Sequence, residues 1–162
     1  MKILIGVDDS SFSQIAVEEV ARRLWEPGTE VKILSVIETP YNPARPTPED
    51  ATSENPFKIA RASVDKAAEV LRRSGNKFEI GGDIIEGSPK RVILDEAEAW
   101  GADLIVVGSH GRRGLDRFLL GSVSQAVALH APCSVEIVRK SRDISPQRVK
   151  IGVVTGARSN EP

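Results

Sequence analysis

Five short apolar runs, separated by stretches of helical periodicity, leave few folds open to this chain. Residues 2–7, 31–37, 78–85, 104–107 and 134–138 are rich in Val, Ile and Leu and short enough to be buried strands. After the first run, Phe12, Ala16, Val20, Ala21 and Leu24 recur at three- and four-residue steps, one face of an amphipathic helix. Residues 57–74 repeat that pattern with Ile59, Ala67, Val70 and Leu71 facing inward, and Val92, Ile93, Ala97 and Trp100 repeat it again. A fourth helix is expected over about 121–129. Strand and helix alternate, and short connections of this kind demand right-handed parallel crossovers. The expected fold is therefore α/β: an open, doubly wound, five-stranded parallel sheet with helices on both faces.

Local signals set the boundaries. Ser10 or Ser11 can cap the first helix, and Pro27-Gly28 stops it. Pro56 lies near the first turn of the second helix and Gly75 at its exit. Gly87-Ser88-Pro89 opens the third helix with a cap and a first-turn proline, and Gly101 closes it. The Gly81-Gly82 pair weakens the third strand and is expected to mark a bulge. Residues 39–56, with Pro40, Pro43, Pro46, Pro48 and Pro56, read as a long loop of the lid or disordered kind. Beyond Lys140 the chain is polar except for 149–154, which suits one extra short strand. That segment echoes the first strand faintly, by chance or as the remnant of a repeat.

Composition removes several functions. A net charge of −1 gives no global field to gather nucleic acid or an anionic membrane. Four Phe, two Trp and one Tyr are too few for a base-stacking platform. Cys133 is the single cysteine, so no intrachain disulfide can form, and a reducing, cytoplasmic setting is expected. The opening residues turn acidic too soon for a signal peptide, and no apolar run is long enough to span a bilayer.

The chemistry concentrates in residues 103–131. An apolar run, Leu104 to Val107, is followed by Gly108, Gly111 and Gly114, and then by Gly121, Ser122 and Ser124 at the start of a helix. Strand, glycine loop and helix start together make an anion cradle: backbone N–H groups approach an oxyanion and the helix dipole adds partial positive charge. If the strand order is 3-2-1-4-5, the winding reverses between strands one and four, and Asp8 faces Gly108 across the crevice. Asp8 can then accept from ribose hydroxyls or an amine, or hold a metal beside phosphates. Arg112 is a candidate for further phosphate charge, with Arg113 and Arg117 behind it.

Each of these residues has a plainer reading. Asp8 and Asp9 can cap the first helix, Gly108 can form a turn, and the arginines can be solvated loop charges. Ser122 is expected to cap its helix whether or not an anion binds. His110 and His130 have no Cys or His neighbours at metal-ligand spacing, and Cys133 reads as a small core residue. Other nucleotide machinery is missing: neither G-x4-G-K-(S/T) nor a first-turn G-x-G-x-x-G is present. A phospho-acceptor pocket would need an aspartate ending the third strand, where Glu86-Gly87-Ser88 stands. No residue reads as a general base arranged to activate water.

Gly108-Ser109-His110-Gly111, nine residues, then Gly121-Ser122 resembles the G-x2-G-x9-G-(S/T) signature of the universal stress protein family, in its ATP-binding type. Residues 7–16 (V-D-D-S-S-F-S-Q-I-A) resemble that family's first strand and acidic turn, and residues 132–139 are similar to its last strand. The resemblance implies a 3-2-1-4-5 sheet over residues 1–140, with 141–162 as a C-terminal extension, and a homodimer formed through strand 134–138. It implies that Asp8 lies on the adenosine side and that Val36 meets the adenine ring through its backbone. Gly108, Gly111, Gly121 and Ser122 would hold the phosphates, lined by Val123 and Ser124. The implied function is an ATP-binding regulatory stress-response protein with little or no hydrolysis; the alternative is a weak Mg2+-dependent ATPase or nucleotidyl-transfer enzyme in the same cleft. Asp9 departs from the family, standing where a glycine is frequent.

Overall fold

The computed structural model describes residues 1–38, 55–111 and 120–139. In chain order these form β1 (Lys2–Val7), α1 (Ser11–Arg22), β2 (Glu30–Ile37), α2 (Pro56–Arg73), β3 (Glu79–Glu86), α3 (Pro89–Trp100), β4 (Leu104–Gly108), α4 (Ser122–His130) and β5 (Ser134–Val138). The strands make one five-stranded sheet in the order β3-β2-β1-β4-β5. All its pairings are parallel.

Alternation along the strands explains the layers. Ile3, Ile5 and Val7 point to one face of the sheet and pack with Ala16, Val17 and Val20 of α1 and Val64, Ala67, Ala68 and Leu71 of α2. Leu4 points to the other face, where it meets Leu34, Ile93 and Ala97 of α3, Ile105, Val107 and Val127 of α4. β1 and β4 are buried on both faces along most of their length, so their runs read as continuously apolar. Each fully buried aliphatic side chain contributes about 1.5–3 kcal/mol relative to exposure.

The helix boundaries follow local chemistry. Ser10 is the N-cap of α1, its hydroxyl accepting from the Ser13 amide at 3.2 Å. Asn55 caps α2 through Phe57 N at 3.0 Å, a role not read from the sequence. Gly101 ends α3 with φ at 67°, a left-handed conformation that glycine adopts without strain.

The structure revises several expectations. Leu24 is 97% exposed because α1 already ends at Arg22 and the chain turns extended at Arg23, where helical periodicity no longer applies. Trp25 packs in its place, its indole N–H donating to Val20 O at 2.8 Å. The Gly81-Gly82 pair makes no bulge: Gly81 pairs with Lys32 and Gly82 with Ile33 in unbroken register. Gly82 is there for packing, since a Cβ would stand 2.7 Å from Val64 Cγ1. Ser88 is the N-cap of α3 but makes no side-chain cap bond, and the N-cap of α4 is Gly121 rather than Ser122. Residues 39–54 of the proline-rich stretch and the strand expected at 149–154 lie outside the described residues.

Candidate functional site

The sheet order puts the ends of β1 and β4 side by side, with Gly6 opposite Val107. From there α1 leaves to one face and α4 to the other, so the two strand-end loops diverge and leave a crevice between them.

On the β1 side, Asp8 is held by its own turn. Its Oδ1 accepts from the Ser10 amide at 3.0 Å and from the Ser10 hydroxyl. Ser13 braces the turn from beneath: its hydroxyl donates to Asp8 O at 2.7 Å and accepts from the Asp8 amide at 3.2 Å. The carboxylate is therefore fixed in direction before any ligand arrives. Its second oxygen, Oδ2, stands 2.9 Å from the point a Cβ on Gly111 would occupy.

On the β4 side, Ser109 is the junction. Its amide donates to Val138 O at the end of β5 at 2.8 Å, and its carbonyl accepts from the Gly121 amide at 2.8 Å. Its hydroxyl lies 3.1 Å from His110 Nδ1, and the His110 ring packs on Phe12 with centroids 5.1 Å apart. The Ser124 hydroxyl reaches the same Ser109 carbonyl at 3.0 Å. These contacts hold the first turn of α4 against the end of β4.

The signature glycines serve space rather than backbone conformation. Among the described residues the positive-φ glycines are Gly28, Gly75, Gly87 and Gly101, none of them in the signature. A Cβ on Gly108 would meet the Phe12 backbone at 2.7 and 2.8 Å, and one on Gly121 would stand 3.2 Å from both His110 Cα and Ser109 O. At Gly108, Gly111 and Gly121 alike, a Cβ would crowd another segment of the chain, and Gly114 lies outside the described residues.

Of the residues singled out in the sequence, Asp8 and Gly111 approach each other directly, while Gly108 abuts Phe12 and Gly121 abuts Ser109 and His110. Ser122 is exposed and Val123 half-buried on the first turn of α4, while Ser124 is buried. Val36 lies near the end of β2, opposite Ile85, and packs on the α3–α4 side. Arg112, Arg113 and Arg117 lie outside the described residues. Sequence reasoning missed Ser109, Ser13 and Phe12, which shape the crevice through backbone contacts that no residue pattern announces.

Among the described residues no side chain caps α4, whose first amides have no intrahelical partner and can donate to an anion. Among the described residues no group of three or more His, Cys, Asp and Glu is placed to hold a metal ion. A divalent cation at Asp8 would take its remaining oxygens from a bound phosphate and from water. A hollow of about 430 Å3 lies between α1 and α2, lined by Asp8, Val17, Lys58, Ile59, Lys66 and Val70 among others. It shares Asp8 with the crevice but lies on the α1–α2 side, away from α4.

Residues 1–139 match the family described as the Universal stress protein family. The chain belongs to that family. A universal stress protein of Methanocaldococcus jannaschii is 30% identical over 87% of this chain and 83% of its own length. Among solved structures, the hypothetical protein MJ0577 is 28% identical with a TM-score of 0.66, covering 87% of this chain and 96% of that one. The universal stress protein from Archaeoglobus fulgidus, solved in complex with dAMP, is 25% identical with a TM-score of 0.57 over 85% of this chain and 96% of its own. The doubly wound sheet found here is thus the universal stress protein fold. No helix among the described residues is long and apolar enough to cross a membrane.

Proposed function

We propose that this universal stress protein is a regulatory, ATP-binding member that holds an adenine nucleotide in the crevice between β1 and β4. The observation that carries the reading is the N-terminus of α4, without a side-chain cap among the described residues and pinned at Gly121 against the end of β4, the strand beside β1, whose end holds the oriented carboxylate of Asp8. Amides of that turn suit phosphate oxygens, and an oriented carboxylate suits hydroxyl donors on a ribose. The dAMP complex of the Archaeoglobus fulgidus relative supports an adenine nucleotide as the occupant.

In this reading Gly108, Gly111, Arg112, Gly121, Ser122, Val123 and the Ser124 backbone amide form the phosphate side, with Asp8 on the ribose and the Val36 backbone on the adenine. Asp8 would hold Mg2+ beside a bound phosphate, where the ion would neutralise charge. The protein acts in the cytoplasm as a homodimer through the outer edge of β5, which among the described strands pairs only with β4. Domain 1–140 carries the site and residues 141–162 are an appendage to it.

Thermal melts with AMP, ADP, ATP and GTP test the reading. A specific ligand at about 100 times its dissociation constant adds about 2.7 kcal/mol to stability. Stabilisation by adenine nucleotides above GTP is expected; no shift with any adenine nucleotide overturns the proposal. Phosphate release under saturation decides between a holding site and the enzymatic alternative, which rapid, Asp8-dependent turnover would favour.

A further inference from the structure

The two serines after Gly121 do different jobs, and we propose that the Ser124 hydroxyl is a positioning group that does not itself contact the nucleotide. The proposal deepens the nucleotide reading and rests on it. Ser122 and Ser124 are two residues apart on a helix, which rotates their side chains by about 200° relative to each other. One ligand cannot be faced by both. Ser122 is exposed, whereas Ser124 is 2% exposed. The Ser124 hydroxyl lies 3.0 Å from Ser109 O and 2.9 Å from Gly121 O. A hydroxyl has one proton, and both carbonyls already compete for it. Donation to a phosphate would break the bond to Ser109 and bury an oxygen without its partner.

The position of that bond gives it a purpose. Ser109 and Ser124 are fifteen residues apart in the chain. Ser109 is anchored from the far side by its amide bond to Val138 O of β5. Its carbonyl then receives both the Gly121 amide, at 2.8 Å, and the Ser124 hydroxyl. The hydroxyl thus acts as a latch that holds the start of α4 on the end of β4, at the spacing that the missing Cβ of Gly121 allows. The first turn of α4 is thereby held in place before a ligand binds, so little ordering is left for binding to drive.

The test uses two independent readouts: hydrogen exchange of the Gly121 amide in the ligand-free protein, and dissociation constants for AMP and ATP. Ser124→Ala is expected to speed Gly121 exchange and to weaken both nucleotides, each by about tenfold. Ser124→Thr should restore both, because a threonine hydroxyl at this helical position can still reach a carbonyl three residues back. Ser122→Ala should weaken binding while leaving Gly121 exchange unchanged. Ser124→Cys, close in volume and a poor donor, gives the same reading if the alanine variant does not fold. Weakened binding by Ser124→Ala with wild-type exchange at Gly121 would mean that the hydroxyl touches the ligand, overturning the proposal. Faster exchange with wild-type affinity would overturn it too, since the latch would then position nothing. Failure of the wild type to bind either nucleotide would instead remove the nucleotide reading, and the positioning role with it. The exchange comparison would still show whether the latch exists.

Discussion

Asp8 and Gly111 meet where β1 and β4 end: Asp8 Oδ2 stands 2.9 Å from where a Cβ on Gly111 would lie, and Asp8 Oδ1 is held by the Ser10 amide at 3.0 Å. The carboxylate has a fixed direction because one oxygen is bonded and the other abuts a residue without a side chain. Gly111→Ala should push Asp8 off Ser10. A stability loss of about 1–2 kcal/mol is expected from the broken charge-assisted bond, together with weaker nucleotide binding. Denaturant midpoints and nucleotide-induced melting shifts read the two effects separately.

Gly108→Ala should cost more. The new Cβ would stand 2.7 Å from Phe12 C and 2.8 Å from Phe12 O, backbone atoms that cannot swing aside as a side-chain end can. A loss of about 3 kcal/mol is expected, at the upper end for overpacking. Gly81 is the contrast: nothing lies within 4 Å of its absent Cβ. Gly81→Ala should be neutral or stabilise by about 0.5 kcal/mol through the unfolded state. Equal destabilisation by the two changes in urea titrations would contradict the packing account.

Asn76 closes the end of α1 from a distant part of the chain. Its Nδ2 donates to Ala21 O at 3.2 Å and Arg23 O at 2.9 Å, and its Oδ1 accepts from Trp25 N at 3.2 Å. Asn76→Ala should destabilise by about 1–2 kcal/mol, because carbonyls at the helix end lose their donor. Asn76→Asp should be worse, placing an acceptor against two carbonyls. Tm values for the pair check the order, and a more stable aspartate variant would contradict it.

The Cys133 thiol has its pKa raised, first by burial and then by the nearby charge of Asp103. A raised value means that the folded state keeps its proton longer than the unfolded chain does. Its contribution to stability is present below the ordinary thiol range and is lost as pH rises through the higher folded value. Alkylation of Cys133 in the native protein should therefore set in at higher pH than alkylation of the unfolded chain. Coincident pH profiles would contradict this. Cys133→Ala should remove that part of the alkaline fall in stability.

Much of the fold was legible because strands buried on both faces cannot disguise themselves. β1 and β4 fell where the apolar runs stand, at Lys2–Val7 and Leu104–Gly108, and Pro56 and Gly101 marked helix ends through backbone chemistry local to each. Leu24 misled because three- and four-residue spacing continues in the sequence after the helix has stopped. The Gly81-Gly82 pair misled because a glycine's reason can lie on another element, here Val64 of α2.

The site divides in the same way. Sequence alone determined that a glycine–serine loop follows a buried strand, that an aspartate ends the first strand, and that the family signature is present, since each is a matter of local order. Only the tertiary structure decided what the glycines are for. The close approaches at Phe12, Asp8 and Ser109 join segments far apart in the chain, and spacing along the chain carries no record of distance across it. The same holds for Ser124. Its neighbour two positions back is also a serine, and only the packing of α4 on β4 buries one hydroxyl and leaves the other exposed.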